Sequence, residues 1–424
     1  MPFRLPDDVA RTIVDPRSYA AWDELHETLK NVRREYPLAR AEIDDYAPFW
    51  VAAKYNDIQE VARRNDVFLS GQSPNGMPSK AEEQIAVEVG IRRMFRSVVS
   101  MNEPEHTKYR QLTQAWFQPK NLRQLEDGMR ILAKYYVDKL AARGGECDFC
   151  SDVARYYPLR VIMSVLGVPK EDEPFMLRLT QEFFGAKDEE RNRAKVSADP
   201  LVIVKAVQQV VDDANEYFRK ISDDRRRKPA NDLASVIANS QIDGRPIDDL
   251  EAMGYYITIA FAGHDTTSSS IAGGIWALCE RPDQLKLVQS DLSLIPALVE
   301  EAIRWTTPIH QFVRVAAETC LLRGRRVTKG DRVILCFPSG NRDEEVFEDP
   351  FAFRVDRKPN RHIGFGYGLH ICLGMFLARM EMSIFFQELL PRIEWMELTG
   401  KPKRMVSNFV GGPKFVPIRI KMRR

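Results

Sequence analysis

Hydrophobic residues follow two different spacings along this chain, and together they predict helices over most of its length. Spacing of three to four residues, typical of an amphipathic helix, predicts long helices over residues 24–34, 115–141, 202–221, 248–280, 294–304 and 375–390. Short apolar runs predict a strand at residues 49–53, a group of short strands around residues 313–336, and a hairpin-like end that reaches residue 421. Because helices dominate and the strands fall into small groups, we predict a mainly α fold with small β-sheets, an α+β arrangement.

Length and composition bound the class of protein. The chain has 424 residues, of which 44% are hydrophobic and 29% are charged, as in ordinary globular proteins. Without a repeat or a flexible linker, residues 1–424 are expected to form a single domain. The net charge of +2 gives no indication of a nucleic-acid partner. No signal peptide and no run of ~20 apolar residues is present, so we expect a soluble, cytoplasmic protein without a membrane anchor. Six scattered cysteines agree with a reducing compartment.

One glycine-rich segment carries the most specific chemical signal. Residues 365–374 read F-G-Y-G-L-H-I-C-L-G and directly precede the predicted helix 375–390. Gly366 and Gly374 allow the backbone to wrap closely round a bulky planar ligand. Cys372, at the start of the helix, lies in the field of its positive dipole end, which favours the thiolate. A thiolate in a tight apolar loop suits the iron of a haem, whereas the alternative for a single buried cysteine is an inert thiol.

A second signal lies inside the longest predicted helix. Residues 262–267 read A-G-H-D-T-T. In a helix interior Gly263 costs about 1 kcal/mol relative to alanine, and Thr266 can hydrogen-bond back to the preceding turn. A weakened turn beside Asp265 and a hydroxyl makes a groove in which dioxygen and water fit. Taken alone, the pattern is equally compatible with a kinked helix that carries a surface acid.

Both segments resemble motifs of the cytochrome P450 superfamily. The pattern F-G-x-G-x-H-x-C-x-G resembles its haem-binding loop, and A-G-x-D-T-T resembles its oxygen-activating segment. The resemblance implies the triangular cytochrome P450 fold, with a long central helix and a heme b buried beside it. It implies Cys372 as the iron ligand, Thr266 as the hydrogen-bonding residue where oxygen binds, and Asp265 as the gate for protons from solvent.

The resemblance also implies which residues hold the cofactor. Matching positions in the family bind the two propionates or line the haem, and in this chain they are His106, Arg110, Arg314, His370, Phe365, Gly366, Gly374 and Ala262. His106 and Arg110 are four residues apart and therefore share one helix face. Propionates need cations or strong donors, although the alternative for each basic residue is an ordinary surface charge.

A further motif, E-A-I-R at residues 301–304, has a structural implication. Glu301 and Arg304 are three residues apart and can pair on one helix face. In the superfamily such a pair is buried beneath the haem loop, where a later Arg or His completes a triad. Here the matching position is Ala352, so Arg354, Arg357 or a backbone carbonyl is left as the third partner.

Similarity within the superfamily extends to a branch. The segments at residues 262–270 and 407–413 resemble those of the soluble bacterial branch that contains terpineol and arene hydroxylases, and steroid oxidisers share a similar tail. We therefore expect a haem-thiolate monooxygenase that hydroxylates a small hydrophobic substrate, a monoterpenoid or alkylarene, with O2 and electrons from a ferredoxin and its reductase. Candidate substrate contacts, each with ordinary core packing as the alternative, are Ile259, Gly263, Phe184, Ile309, Phe312, Phe409 and Val410.

Other functions stay open at this point. A steroid or another hydrophobic compound is an alternative substrate. A peroxide-driven peroxygenase is an alternative reaction, although that group usually has Arg-Pro in place of Asp265-Thr266. A non-catalytic haem or ligand-binding protein would not need the acid and the alcohol. An acidic ferredoxin would dock on a basic face near the cysteine, to which Lys108, Lys120 and Arg123 are candidates to contribute.

Overall fold

Helices surround small sheets in the computed structural model, which describes residues 3–71, 76–90, 96–195 and 199–423. Within these residues the α-helices, numbered α1 to α17 in chain order, are Asp7–Val14, Trp22–Glu35, Tyr55–Arg63, Lys80–Glu88, Glu105–Gln114, Pro119–Leu122, Glu126–Ala142, Tyr156–Leu166, Glu173–Phe184, Pro200–Arg227, Leu233–Ala238, Asp249–Ala262, Asp265–Glu280, Pro282–Ser290, Ile295–Thr306, Phe337–Gly340 and Met375–Leu389. The strands β1 to β14 are Leu38–Ala41, Phe49–Ala52, Phe68–Leu69, Glu146–Asp148, Gln241–Ile242, Arg245–Pro246, Gln311–Ala316, Cys320–Leu322, Arg325–Val327, Arg332–Cys336, Ile393–Leu398, Lys403–Arg404, Pro413–Phe415 and Pro417–Met422.

The largest sheet has five strands in the order β1-β2-β10-β7-β3. Strand β10 runs parallel to β2, and the other neighbours are antiparallel. Successive side chains of a strand point to opposite faces. Phe49 and Val51 therefore pack with the N-terminal helices, while Trp50 and Ala52 pack with α3. Both faces are buried, which explains why the sequence of β2 is apolar at every position.

A large helical core holds the elements that carry the predicted chemistry. Helices α13, α15 and α17 pack against one another, and α17 also packs against α7. Helix α17 follows the cysteine loop, and α13 carries the Asp-Thr-Thr sequence. The packing of these helices therefore brings the two motifs to the same part of the molecule. No helix in the described ranges has both the length and the apolar character to cross a membrane.

Two helix predictions were wrong in their extent. The helix predicted over residues 115–141 is divided into α6, a 3-10 turn at Arg123–Leu125, and α7. Pro119 lies at the first position of α6, where its missing N–H breaks the hydrogen-bond ladder from the preceding residues. The long helix predicted over residues 248–280 is likewise two helices, α12 and α13, which meet at Gly263 and His264.

Candidate active site

The cysteine loop is closed by backbone hydrogen bonds. The N–H of Cys372 donates to the carbonyl of Phe365 at 2.8 Å, and the N–H of Gly366 donates to Ile363 at 2.9 Å. Gly366 has a φ of 74°, in the left-handed region that glycine adopts readily. A Cβ on Gly374 would meet nothing within 4 Å, so the space at this glycine is open.

The charge state of Cys372 depends on opposing effects. Burial raises the pKa of the Cys372 thiol, while the backbone N–H of Gly374 and the charges of Arg110 and Arg379 lower it, and the net shift is upward. These contacts therefore do not bring the pKa of this sulfur below its ordinary value. A bound metal ion would remove the proton, because a coordinating thiol is deprotonated outright.

A second network holds the cysteine loop to α15. Arg379 donates two hydrogen bonds to the carboxylate of Glu300, at 2.6 and 2.8 Å, and the His362 ring lies 3.0 Å from the same carboxylate. Burial raises the pKa of Glu300, but Arg379 and His362 lower it more, to about 2. The Arg379 guanidinium also lies 4.5 Å over the Phe365 ring. The sequence analysis did not identify this network.

Four basic side chains that line the same cavity as Cys372 lie close together. The rings of His106 and His370 are 4.2 Å apart, and Arg110 and Arg314 act electrostatically on His370. Burial lowers the pKa of Arg314 to about 10, and burial, followed by the three neighbouring basic groups, lowers that of His370 to about 2. Apart from Glu103, 3.7 Å from His106, no described carboxylate pairs with these four residues.

The long helix is interrupted where it packs closely against α8. A Cβ at Gly263 would lie 2.7 Å from the side chain of Ile162 in α8, so only glycine lets the two helices approach this closely. The hydroxyl of Thr266 donates to the carbonyl of Ala262 at 2.9 Å, which confirms the predicted bond to the preceding turn. The outcome is a full break rather than a loosened turn.

The cavity brings most of the predicted site residues together. Those that line it are His106, Arg110, Ile259, Ala262, Gly263, Thr266, Ile309, Phe312, Arg314, Phe365, Gly366, His370, Cys372 and Gly374. The hydroxyl of Thr266 and the sulfur of Cys372 thus face one space between α13 and the loop before α17. Asp265, next to Thr266, lies outside the lining, and its side chain is 16% exposed.

Three predicted substrate contacts do not line this cavity. Phe409 packs behind Phe312 at a ring distance of 5.6 Å, and Phe184 lies 6.3 Å behind Phe409. Val410 is buried and forms an isolated β-bridge with Ile309. These three residues lie one layer behind the cavity wall. The bridge between Val410 and Ile309 holds the tail at residues 407–413 against the segment at Ile309 rather than against the open space. These residues support the wall that Ile309 and Phe312 form.

The predicted pair of Glu301 and Arg304 is fully buried. Arg304 donates to Glu301 at 2.7 and 2.8 Å, and also to the carbonyl of Ala352 at 3.0 Å. Arg357 is the third charged partner, with its Nε 3.1 Å from Glu301. The backbone N–H of Arg354 donates to the same carboxylate. All three alternatives left open by the sequence therefore contribute contacts, and Arg357 supplies the charge.

The structure also brings Glu381 to the cavity, a residue that the sequence analysis passed over. It is 1% exposed, lies against the Thr267 hydroxyl, and has one carboxylate oxygen without a hydrogen bond to any described residue. Burial raises its pKa well above the usual range. An acid in the middle of the largely apolar helix of residues 375–389, whose other acid is Glu388 near its end, was the available signal.

The donor set fits one kind of cofactor. Within the described ranges no group of three His, Cys, Asp or Glu side chains is placed to hold a metal ion, so Cys372 stands alone as a ligand. The His106 ring has a buried nitrogen without a hydrogen bond, and its three basic neighbours lack carboxylate partners in the same ranges. One sulfur ligand beside a basic cluster fits an iron porphyrin with two acidic side groups. Fold and site define a haem-thiolate protein.

Comparison with known proteins agrees with that class. The chain belongs to the cytochrome P450 family, whose sequence profile matches residues 17–416. It is 44% identical to Cytochrome P450-terp from Pseudomonas sp over 98% of both chains. It is 32% identical to Steroid C26-monooxygenase from Mycolicibacterium smegmatis, over 86% of this chain and 82% of that one. The crystal structure of CYP108D1 from Novosphingobium aromaticivorans superimposes with a TM-score of 0.91 at 40% identity, over the whole of both chains.

The family membership establishes the reaction class. The protein is a cytochrome P450 monooxygenase that binds heme b through a thiolate and uses O2 and a redox partner. The predicted fold class, cofactor and enzyme class are confirmed. The roles of individual residues, the substrate and the identity of the redox partner remain predictions.

Proposed function

We propose that this monooxygenase hydroxylates a small hydrophobic substrate, a monoterpenoid or an alkylarene, with electrons delivered by a ferredoxin. The observation that carries the substrate proposal is the apolar wall of the cavity that Cys372 also lines. The side chains of that wall include Val98, Val99, Phe117, Ile259, Ile309 and Phe312. Such a wall binds apolar compounds by removing their surface from water and offers few polar anchors.

The cofactor, when bound, supplies the dioxygen activation that side chains cannot perform. The chain's own residues bind, orient and control protons. Arg110 and Arg314 would bind the acidic groups of the cofactor as cations, and His106 and His370 would do so as neutral rings that donate a hydrogen bond, because burial lowers the pKa of both histidines. Phe312 orients the substrate and excludes water.

We assign the delivery of protons to Thr266 and Asp265, which lie just after the helix break. Thr266 lines the cavity, while its neighbour Asp265 lies outside the lining with its side chain 16% exposed. A carboxyl group in that place can pass a proton from solvent toward the hydroxyl, which is a general-acid role. A steroid is the second candidate substrate, favoured by the 32% identity to the steroid C26-monooxygenase.

The test is a titration of the ferric holoenzyme, with the Soret band as the signal. A low-spin to high-spin shift with monocyclic terpenes or alkylarenes, followed by detection of a hydroxylated product, is the expected result. Phe312→Ala should weaken the binding of these compounds by about tenfold, and Phe415→Ala, at a surface phenylalanine 36% exposed, serves as the matched control. A shift with a steroid alone would overturn the substrate proposal.

A further inference from the structure

His264 occupies the helix break beside the proposed proton path, yet that path gives it no role. Its side chain is 0% exposed, and it lies between the end of α12 and the start of α13. Both ring nitrogens have polar neighbours: the carbonyl of Arg155 on one side, and Thr180 of α9 on the other. A polar ring that is fully buried needs hydrogen-bond partners in the protein, and these partners fix its orientation.

The contact with Arg155 determines which nitrogen carries a hydrogen. The carbonyl oxygen of Arg155 can only accept, and it lies 2.8 Å from Nε2 of His264. Nε2 is therefore a donor in every protonation state. In the neutral ring Nδ1 must then be the acceptor, and in the imidazolium it is a donor.

Nδ1 of His264 has two oxygen neighbours. Thr180 Oγ1 lies at 3.0 Å in hydrogen-bond geometry, and Asp265 Oδ1 lies at 3.3 Å as an ion-pair neighbour without that geometry. The Thr180 hydroxyl has one hydrogen, for which the carbonyl of Leu177 at 3.0 Å competes. The side chain next to the ring that can exchange a proton with it is therefore Asp265.

One proton in this pair has two possible positions. On Nδ1 it makes an imidazolium beside a carboxylate, and on Oδ1 it makes a carboxylic acid beside a neutral ring. The transfer breaks an N–H bond and forms an O–H bond, and the total charge of the pair does not change. Burial lowers the pKa of His264 and raises that of Asp265, while their mutual attraction opposes both shifts. The other described charge that acts on both groups is the Arg155 guanidinium.

We infer that His264 is a positioning residue that fixes the carboxyl group of Asp265 and shares its proton. The pair then acts as a proton store beside Thr266, on the side of the break that faces away from the cavity. Because the proton has two positions instead of one, the pair retains it to a higher pH than Asp265 alone would. The inference rests on the proposed role of Asp265 and Thr266 in proton delivery.

The test compares coupling, the product formed per NADH consumed, as a function of pH. Holoenzymes with His264→Gln and His264→Asn are measured from about pH 6 to about pH 9, beside the wild type and Thr266→Ala. Neither amide titrates, so the fall in coupling should move to lower pH by about 1 unit. His26→Gln replaces another buried histidine, outside the site, and should retain the wild-type profile.

The outcomes separate this inference from the proposed function. Profiles of both His264 variants that coincide with the wild type, while Thr266→Ala is uncoupled, would overturn the inference and leave the function in place. Full coupling in Thr266→Ala would instead overturn the proton-delivery role itself. If neither His264 variant binds haem, infrared titration of the wild type decides: the carboxyl band assigned by Asp265→Asn and the His264 ring band should change at the same pH. A carboxyl band that changes alone contradicts proton sharing.

Discussion

At the scale of single residues, Cys372 shows how a reactive group depends on what surrounds it. Burial disfavours its thiolate, and the local backbone and two arginines only partly compensate. Its place in the lining of the cavity, and not a lowered pKa, distinguishes this sulfur as the candidate ligand. Cys336, which is fully buried in the sheet, also has a pKa raised by burial, to about 11, but it does not line the cavity.

Replacement of the ligand should change the spectrum of the protein. In Cys372→His we expect loss of the thiolate-type ferrous carbonyl spectrum, because imidazole donates less charge to the iron. Cys320→Ser, at a half-buried cysteine in β8 outside the cavity, is the control and should retain the spectrum. Survival of the thiolate-type spectrum in Cys372→His would show that another residue is the ligand.

Removal of the cavity hydroxyl should uncouple the reaction. In Thr266→Ala we expect NADH consumption to continue while the product per NADH falls about tenfold or more, with hydrogen peroxide released instead. Thr266→Ser retains a hydroxyl and should retain most of the coupling. The measurement is the ratio of product and peroxide to NADH consumed, and an unchanged ratio in the alanine variant would remove the proposed role of Thr266.

At the scale of elements, two adjacent glutamates on α15 hold different parts of the site. Glu301 is bound by Arg304 and Arg357 and so connects α15 to the segment at residues 349–357. Glu300 is bound by Arg379 and His362 and so connects α15 to α17 and to the cysteine loop. The helix therefore supports both the cysteine loop and the segment at residues 349–357 before it.

The Glu300 network makes part of the stability dependent on pH. The pKa of Glu300 is about 2 in the folded protein, below its unfolded value of about 4.3. The stabilisation is complete above the unfolded pKa and is lost as the pH falls through the folded one. In urea unfolding, Glu300→Gln should therefore cost about 2 kcal/mol at neutral pH, and this difference should shrink below about pH 4. Glu216→Gln, in an exposed pair with Lys220, should leave the stability nearly unchanged, because water screens that pair. A cost for Glu300→Gln that does not vary with pH would contradict this assignment.

At the scale of the whole molecule, the position of the redox partner is argued from charge. Helix α6 packs against α17, and Lys120 and Arg123 are exposed beside it. Lys108 on α5 is also exposed, but Asp243 lies 2.6 Å from its ammonium group and offsets its charge. The three cations proposed for a ferredoxin surface are therefore not equivalent.

A single domain over residues 1–424 stays a prediction.

Charge reversal tests this surface. Lys120→Glu and Arg123→Glu should slow reduction by an acidic ferredoxin about tenfold at low ionic strength and flatten its salt dependence. Lys108→Glu should have a smaller effect, because its charge is already paired. Lys228→Glu, at the end of α10, is a control with the same change in net charge. Stopped-flow rates that do not differ among the four variants would exclude this docking surface.

The chemistry of this protein could be predicted from short contiguous segments. The loop at residues 365–374 and the turn at residues 262–267 each contain a candidate reactive residue together with glycines that shape the backbone, so Cys372 and Thr266 could be predicted without tertiary information. Helix and strand classes followed from spacing for the same local reason. Helix ends were less certain, because the long predicted helix is interrupted at Gly263, where it packs closely against Ile162.

Tertiary structure alone decided the contacts between distant parts of the chain. Arg357 reaches Glu301 across 56 positions, and His370 meets His106 from a different element. The burial of Glu381 against Thr267 likewise depends on how α13 and α17 pack. No local spacing encodes such meetings, because they depend on the angles and distances between helices that already satisfy their own hydrogen bonds. The sequence by itself determined which reaction class this chain belongs to, and the fold decided which charged and apolar side chains surround the reacting groups.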